Sequence, residues 1–201
     1  MTRVGGIVLC GGQSKRMGRP KAWLPFAGEL MLPRVVRLLG EVVRPIVVVA
    51  APVQEVPPLP AEVVVVRDEE KDRGPLQGLA AGLAALAGHA DAAYLSSCDV
   101  PFLQPAFIRR LIELLGEHQI CVPKVGEFHH PLAAVYRLEV KETVHRLLAE
   151  DRLRPFFLFQ EVPTRILTAD ELADVDPTFQ TLRNLNTPEE YEAALRQAAA
   201  M

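Results

Sequence analysis

Cysteine, lysine and tryptophan are scarce in this chain, and it has no long apolar run. The three cysteines, Cys10, Cys98 and Cys121, stand far apart in 201 residues and form no Cys-x-x-Cys pair. So sparse and odd a set argues against a disulfide framework and for reduced thiols in the cytoplasm. Each lies in or at the end of an apolar strand, where a thiol acts as a small buried hydrophobe. No apolar stretch approaches the ~18 residues needed to span a bilayer. The N-terminus leads almost at once into a strand, so no signal peptide is expected. The net charge of −3 gives no support for nucleic acid as a general partner, and no basic run extends beyond the first loop. Arginine outnumbers lysine 17 to 5, and neither this nor the 17 prolines bears on function.

Two of the five lysines fall in one short stretch, Gly5 to Lys21. There an apolar run ends in Gly11-Gly12, and a polar loop follows that carries Lys15, Arg16, Arg19 and Lys21. A buried strand ending in glycines lets backbone N–H groups approach a phosphate, because no Cβ stands in the way. The four cations would neutralise the ligand's charge. The common glycine motifs do not fit. Gly12 and Gly18 enclose five residues and Arg19 follows, so there is no Walker A loop, and Gly-x-Gly-x-x-Gly is absent. The stretch reads as a nucleoside triphosphate site; the alternative is a glycine-rich turn with solvated charges.

Length and an ordinary composition (49% hydrophobic, 23% charged) suit one domain with a substantial core. Short β-branched runs alternate with helical patterns, which implies an α/β fold with a mostly parallel central sheet and helices on both faces. Strands are expected at Val4 to Cys10, Pro45 to Ala51, Glu62 to Val66 and Ala92 to Ser97. Helices are expected at Leu32 to Val42, Leu76 to Ala87 and Pro105 to Leu115. Beyond these, Ile120 to Pro123 and Leu132 to Tyr136 read as strands around the turn Val125-Gly126-Glu127. Val140 to Ala149 reads as helix and Thr164 to Leu167 as strand. A terminal helix, Pro188 to Ala199, has Thr187 as N-cap and Glu189-Glu190 in its first turn. Within that one domain a first part is expected at about 1–103 and a second at about 104–201.

Asp99, in Leu95-Ser96-Ser97-Cys98-Asp99-Val100-Pro101, stands at the end of a central strand. Ligands of open α/β sheets bind outside the carboxyl ends of the strands, so Asp99 is expected to face the same crevice as Gly11-Gly12. A carboxylate there can hold Mg²⁺, which prefers oxygen ligands; the alternative is a cap on the next turn. Asp68 leaves another strand end and is a candidate nucleotide contact. Gly78 falls in the first turn of a helix, where backbone can approach a planar base. His129-His130 lacks a third ligand at useful spacing, which leaves a polar segment beside the crevice. Trp23, two residues after Lys21, is expected to pack beneath the loop.

Together these elements resemble the molybdenum cofactor guanylyltransferases of the MobA type. The resemblance runs over nearly the whole chain. It rests on Leu9-Cys10-Gly11-Gly12 to Lys21, Gly74-Pro75-Leu76-Gln77-Gly78-Leu79, Cys98-Asp99-Val100-Pro101, His130-Pro131-Leu132 and Asn184-Leu185-Asn186-Thr187-Pro188-Glu189-Glu190. It implies a single Rossmann-like nucleotidyltransferase domain that joins GMP from GTP to molybdopterin and releases pyrophosphate. Leu9, Cys10, Gly11, Gly12 and Gly78 would contact the nucleotide, Asp68 the nucleoside, and Lys21 with Arg16 the phosphates. Asp99 would serve both GTP and Mg²⁺, Asn184 and Asn186 would lie toward the pterin substrate or the metal, and His130 on the acceptor side. The implied protein is a cytoplasmic monomer that makes transient contacts with cofactor-delivering proteins. Cys10 stands where the family usually has Ala, and Ala50-Ala51 where it often has an Asn contact. A cytidylyltransferase is the alternative enzyme. A non-catalytic nucleotide-binding adaptor is the alternative of another class, and the presence of both Lys21 and Asp99 speaks against it.

Overall fold

The computed structural model describes residues 2–11, 17–68 and 73–200. Apolar runs with no polar alternation form its central strands, β1 (Val4–Leu9), β4 (Ile46–Ala50) and β6 (Ala92–Ser97), and such runs belong in a sheet covered on both faces. A hairpin of two short strands, β2 (Pro25–Phe26) and β3 (Glu29–Leu30), precedes helix α1 (Met31–Gly40). Strand β5 (Val64–Arg67) precedes α2 (Gly74–Ala85), and α3 (Pro105–Leu114) follows β6. Then come β7 (Ile120–Val125), β8 (Phe128–His129), β9 (Ala134–Arg137), α4 (Lys141–Ala149), α5 (Pro155–Glu161), β10 (Thr164–Leu167) and α6 (Pro188–Ala199).

The main sheet has the order β10-β7-β9-β6-β1-β4-β5. β1 is parallel to both β4 and β6, with Leu9 opposite Val49 and Ser97, so the three strands end level. Only β9 runs against its two neighbours in that path, β6 and β7. Its pairing with β6 carries the sheet unbroken across residue 104.

Helices cover both faces, as the sequence pattern implies. Val8 joins Val35, Leu39, Phe107 and Leu111 beneath α1 and α3. The next residue inward, Ile7, points the other way, to Leu79, Leu83, Val144 and Leu147 of α2 and α4. A smaller cluster of Leu24, Phe26, Met31, Phe102, Leu185 and Ala194 seats the β2–β3 hairpin and α6 at the carboxyl edge of the sheet. Phe26 and Phe102 meet edge to face at 5.4 Å.

The β2–β3 hairpin and α5 lie outside the elements expected from the sequence. Two-residue strands are too short to show periodicity. The Pro155-Phe156-Phe157-Leu158-Phe159 start of α5 has none of the polar alternation that marks an amphipathic helix.

Candidate active site

Three parallel strands ending level leave a crevice above their carboxyl ends, where the chain runs from β1 outward to β4 and β5 and then crosses back to β6 on the other side of β1. A cavity of about 750 Å³ occupies it, lined by residues that directly follow β1, β4, β5 and β6. Leu9, Cys10 and Gly11 come from the first, Ala51 from the second, Asp68 from the third, and Cys98 with Asp99 from the fourth. Lys21, Gly78, Asn184 and Asn186 complete the wall.

The polar centre of the crevice is Asp99, which is 7% exposed. Its Oδ2 accepts from Lys21 Nζ at 2.6 Å. Its Oδ1 accepts from the Ser97 hydroxyl at 2.6 Å and from Asn184 Nδ2 at 2.7 Å. The Asn184 amide also donates to Ser97 Oγ at 2.9 Å. Lys21 Nζ donates in addition to Asn186 Oδ1 at 2.8 Å. A buried carboxylate is tolerated when it is paired and hydrogen-bonded, and here every partner is present. A single 3-10 turn over Lys21–Trp23 presents the ammonium.

The C-terminal segment reaches the site because α6 is firmly capped. Thr187 Oγ1 accepts from Glu190 N at 3.2 Å, and Glu190 Oε2 accepts from Thr187 N at 3.1 Å and Asn186 N at 2.6 Å. This capping box engages the backbone of residue 186 and leaves its side chain for Lys21. Leu185 N donates to Asp99 O at 3.0 Å, which fixes the register of Asn184 and Asn186 on the carboxylate. The two amides thus sit on the Lys21–Asp99 pair.

Gly78 lines the cavity, yet its close approach is to a side chain. A Cβ at this position would lie 2.9 Å from Leu9 Cδ2, and one at Gly82 would lie 2.6 Å from Ile7 Cγ2. Both glycines let α2 settle on β1. A loop after β4 borders the crevice. Gln54 Nε2 donates to Cys10 O at 2.9 Å and approaches Cys10 Sγ at 3.2 Å, while its Oε1 accepts from Ala51 N at 3.3 Å. Arg67 donates to Ala51 O at 3.2 Å and to Gln54 O. Trp23 Nε1 donates to Glu55 O at 3.1 Å, so the indole braces this loop. Contact with the Cys98 thiol, aided by Gln54 and the Arg67 charge, draws the Cys10 thiol below its ordinary range. The same contact, with burial, pushes Cys98 well up.

His130 is not among the described residues that line the cavity; its near neighbour Leu132 is. His129 stands between the rings of Phe156 and Phe159, at 6.0 and 5.8 Å. Gly12 and Arg16 lie outside the described residues. Ser97, Gln54 and Arg67 carry no sequence signal of a site role. Ser97 lies two residues before Asp99, and that spacing alone could have drawn attention to it.

Residues 6–164 match the family of MobA-like NTP transferase domains. The chain belongs to that family. It is 36% identical over 204 residues to a probable molybdenum cofactor guanylyltransferase of Mycobacterium avium, covering 98% of both chains. It is 35% identical over 196 residues to a molybdenum cofactor guanylyltransferase of Desulfosudis oleivorans, covering 96% of this chain and 95% of that one. The fold is shared with molybdopterin-guanine dinucleotide biosynthesis protein A of Archaeoglobus fulgidus, at a TM-score of 0.80 and 19% identity over 98% of this chain and 100% of that one. It is shared also with 2-C-methyl-D-erythritol 4-phosphate cytidylyltransferase of Thermus thermophilus, at a TM-score of 0.72 and 15% identity over 98% and 99%. The chain is a nucleotidyltransferase by family.

Proposed function

We propose that this protein transfers GMP from GTP to the terminal phosphate of molybdopterin, with release of pyrophosphate. The observation that carries the reading is the Lys21–Asp99–Asn186 cluster at the polar centre of the crevice built on the strand ends. An acceptor phosphate oxygen attacks the α-phosphorus, and the bond from that phosphorus to the bridging oxygen of the β-phosphate breaks. The acceptor is already an anion near neutral pH, so no strong general base is needed. The protein's task is positioning and charge stabilisation.

Lys21 is proposed to neutralise charge developing at the α-phosphate and on the leaving pyrophosphate, with Arg16 proposed for the same role. The backbone of Leu9, Cys10, Gly11 and Gly12, together with Asp68 and Gly78, would hold the nucleoside. Asn184 and Asn186, with His130 further out, would lie toward the acceptor, so the nucleotide-binding part runs to about residue 103 and the acceptor part from about 104.

The donor set suits Mg²⁺. Among the described residues no group of three or more His, Cys, Asp or Glu could hold a metal alone. One carboxylate, Asp99, with the Asn186 amide oxygen and substrate phosphates is the kind of oxygen shell this ion takes. When bound, the ion would supply Lewis-acid neutralisation of phosphate charge. Asp99 is meanwhile kept in place by Ser97 and Asn184. Three free cysteines support a cytoplasmic setting. No helix among the described residues is long and apolar enough to cross a membrane. We take the working unit to be one chain, meeting cofactor-delivering proteins transiently.

Pyrophosphate release from GTP, CTP or ATP, with molybdopterin as acceptor and Mg²⁺ present or chelated, tests the proposal. GTP alone is expected to support turnover, and only with the metal. Faster turnover with CTP would assign the enzyme to the cytidylyl side, whose fold it shares.

A further inference from the structure

Gln54 lies in a loop that reads from the sequence only as a proline-rich connection, yet it ties together two strand ends of the crevice. Its amide serves both ends at once, donating to the carbonyl and thiol of Cys10 and accepting from Ala51 N. The first partner belongs to the stretch that follows β1, the second to the stretch that follows β4, and both residues line the cavity. Arg67 closes the loop from the β5 side through the carbonyls of Ala51 and Gln54. Three backbone polar groups of residues lining the cavity are therefore already partnered. Ala51 N–H is taken by Gln54, Ala51 O by Arg67, and Cys10 O by Gln54. Pro52, next in the wall, has no N–H to offer.

We infer that Gln54 is a positioning residue that sets the nucleobase end of the crevice and so determines nucleotide affinity and base selectivity. It does so without touching the reacting phosphates. The inference rests on the proposed nucleotide reading of the cavity. Its logic is that of a site reading a base edge by hydrogen bonds: discrimination depends on which buried donors and acceptors remain for the ligand. Removing the amide releases the Cys10 carbonyl and the Ala51 N–H into the slot and unfastens the loop between them. Lys21 and Asp99 keep their own hydrogen bonds to each other and to Ser97, Asn184 and Asn186, none of which passes through Gln54. The predicted signature is a loss in binding with catalysis preserved.

The test uses the full chain with Gln54→Ala and, to preserve side-chain length, Gln54→Met. Calorimetry measures GTP and CTP affinity, and steady-state pyrophosphate release measures KM and kcat. GTP affinity is expected to fall about tenfold, equal to about 1.4 kcal/mol. The KM for GTP should rise in parallel and the GTP-to-CTP preference should narrow, while kcat stays within about threefold and the KM for molybdopterin is unchanged. Wild-type GTP affinity in a folded variant would overturn the inference alone. So would a parallel loss in kcat and in both KM values, the mark of general loosening. Should the alanine variant fail to fold, the methionine variant decides by the same readings. Failure of the wild-type protein to bind any nucleoside triphosphate would overturn the nucleotide reading and the inference with it.

Discussion

Replacing Lys21 with methionine removes one ammonium and keeps most of the side-chain volume. Two consequences separate in the structure. The first is static. The Lys21 and Asp99 side chains are 17% and 10% exposed, so their 2.6 Å pair is largely removed from water. Breaking a buried pair by deleting one partner costs about 3–5 kcal/mol when the other charge is left uncompensated. Asp99 is not so left, because Ser97 and Asn184 still donate to Oδ1. A cost of about 1.5–3 kcal/mol follows, that of one lost hydrogen bond to a charged group. For a chain of this size that is a fall in Tm of about 3–12 °C. The second consequence is kinetic. A preorganised cation aimed at developing phosphate charge is worth about 10²-fold or more in rate, or at least about 2.7 kcal/mol of barrier. Lys21→Met is therefore expected to lose at least 10²-fold in kcat while remaining folded. Lys21→Arg should not restore it, since a planar fork cannot reproduce a point charge shared between Asp99 Oδ2 and Asn186 Oδ1. Pyrophosphate release and thermal melts measure the two effects side by side. A kcat within tenfold of wild type in a variant melting within about 12 °C of it would refute the phosphate role of Lys21.

Asn184→Ala should cost more turnover than Asn186→Ala, because Asn184 holds the carboxylate itself and Asn186 one bond of the lysine; equal effects in the same assay would contradict this order. Gly82→Ala would bring a Cβ to 2.6 Å from Ile7, and overpacking of this kind costs about 1–3 kcal/mol, read as a lower Tm. Tyr94 has a fully buried hydroxyl with no hydrogen-bond partner among the described residues, so Tyr94→Phe is expected to raise stability by about 1 kcal/mol in a denaturant melt. Burial lowers the pKa of both His129 and His130, with Lys124 adding to the first and His129 to the second. Below their unfolded value of about 6.5 the unfolded chain binds more protons, so stability falls as pH drops from about 6.5 toward the folded values. Replacing both with Asn should flatten that slope in Tm measured between pH 7 and 5, and an unchanged slope would assign it to other groups.

Local pattern alone decided the fold class and most of the candidate site. Uninterrupted apolar runs made β1, β4 and β6 buried parallel strands, since a strand covered on both faces has no polar side to show. The glycines after β1 and the carboxylate after β6 then marked which ends of those strands open to a ligand. The Thr187 cap of α6 was legible for the same reason, as its bond spans only three residues. What the tertiary structure alone decided is who meets whom. Lys21 lies 78 residues from Asp99 and 165 from Asn186, and Asn184 lies 85 from Asp99. Neither helical nor strand periodicity encodes a contact across such distances. The sheet order does, by placing the strand ends level and seating α6 against Phe26 and Phe102. Gly78 and Gln54 show the same division. Their chemistry is visible in the chain, but the partners that give it meaning, Leu9 for one and Cys10 with Ala51 for the other, arrive only through folding.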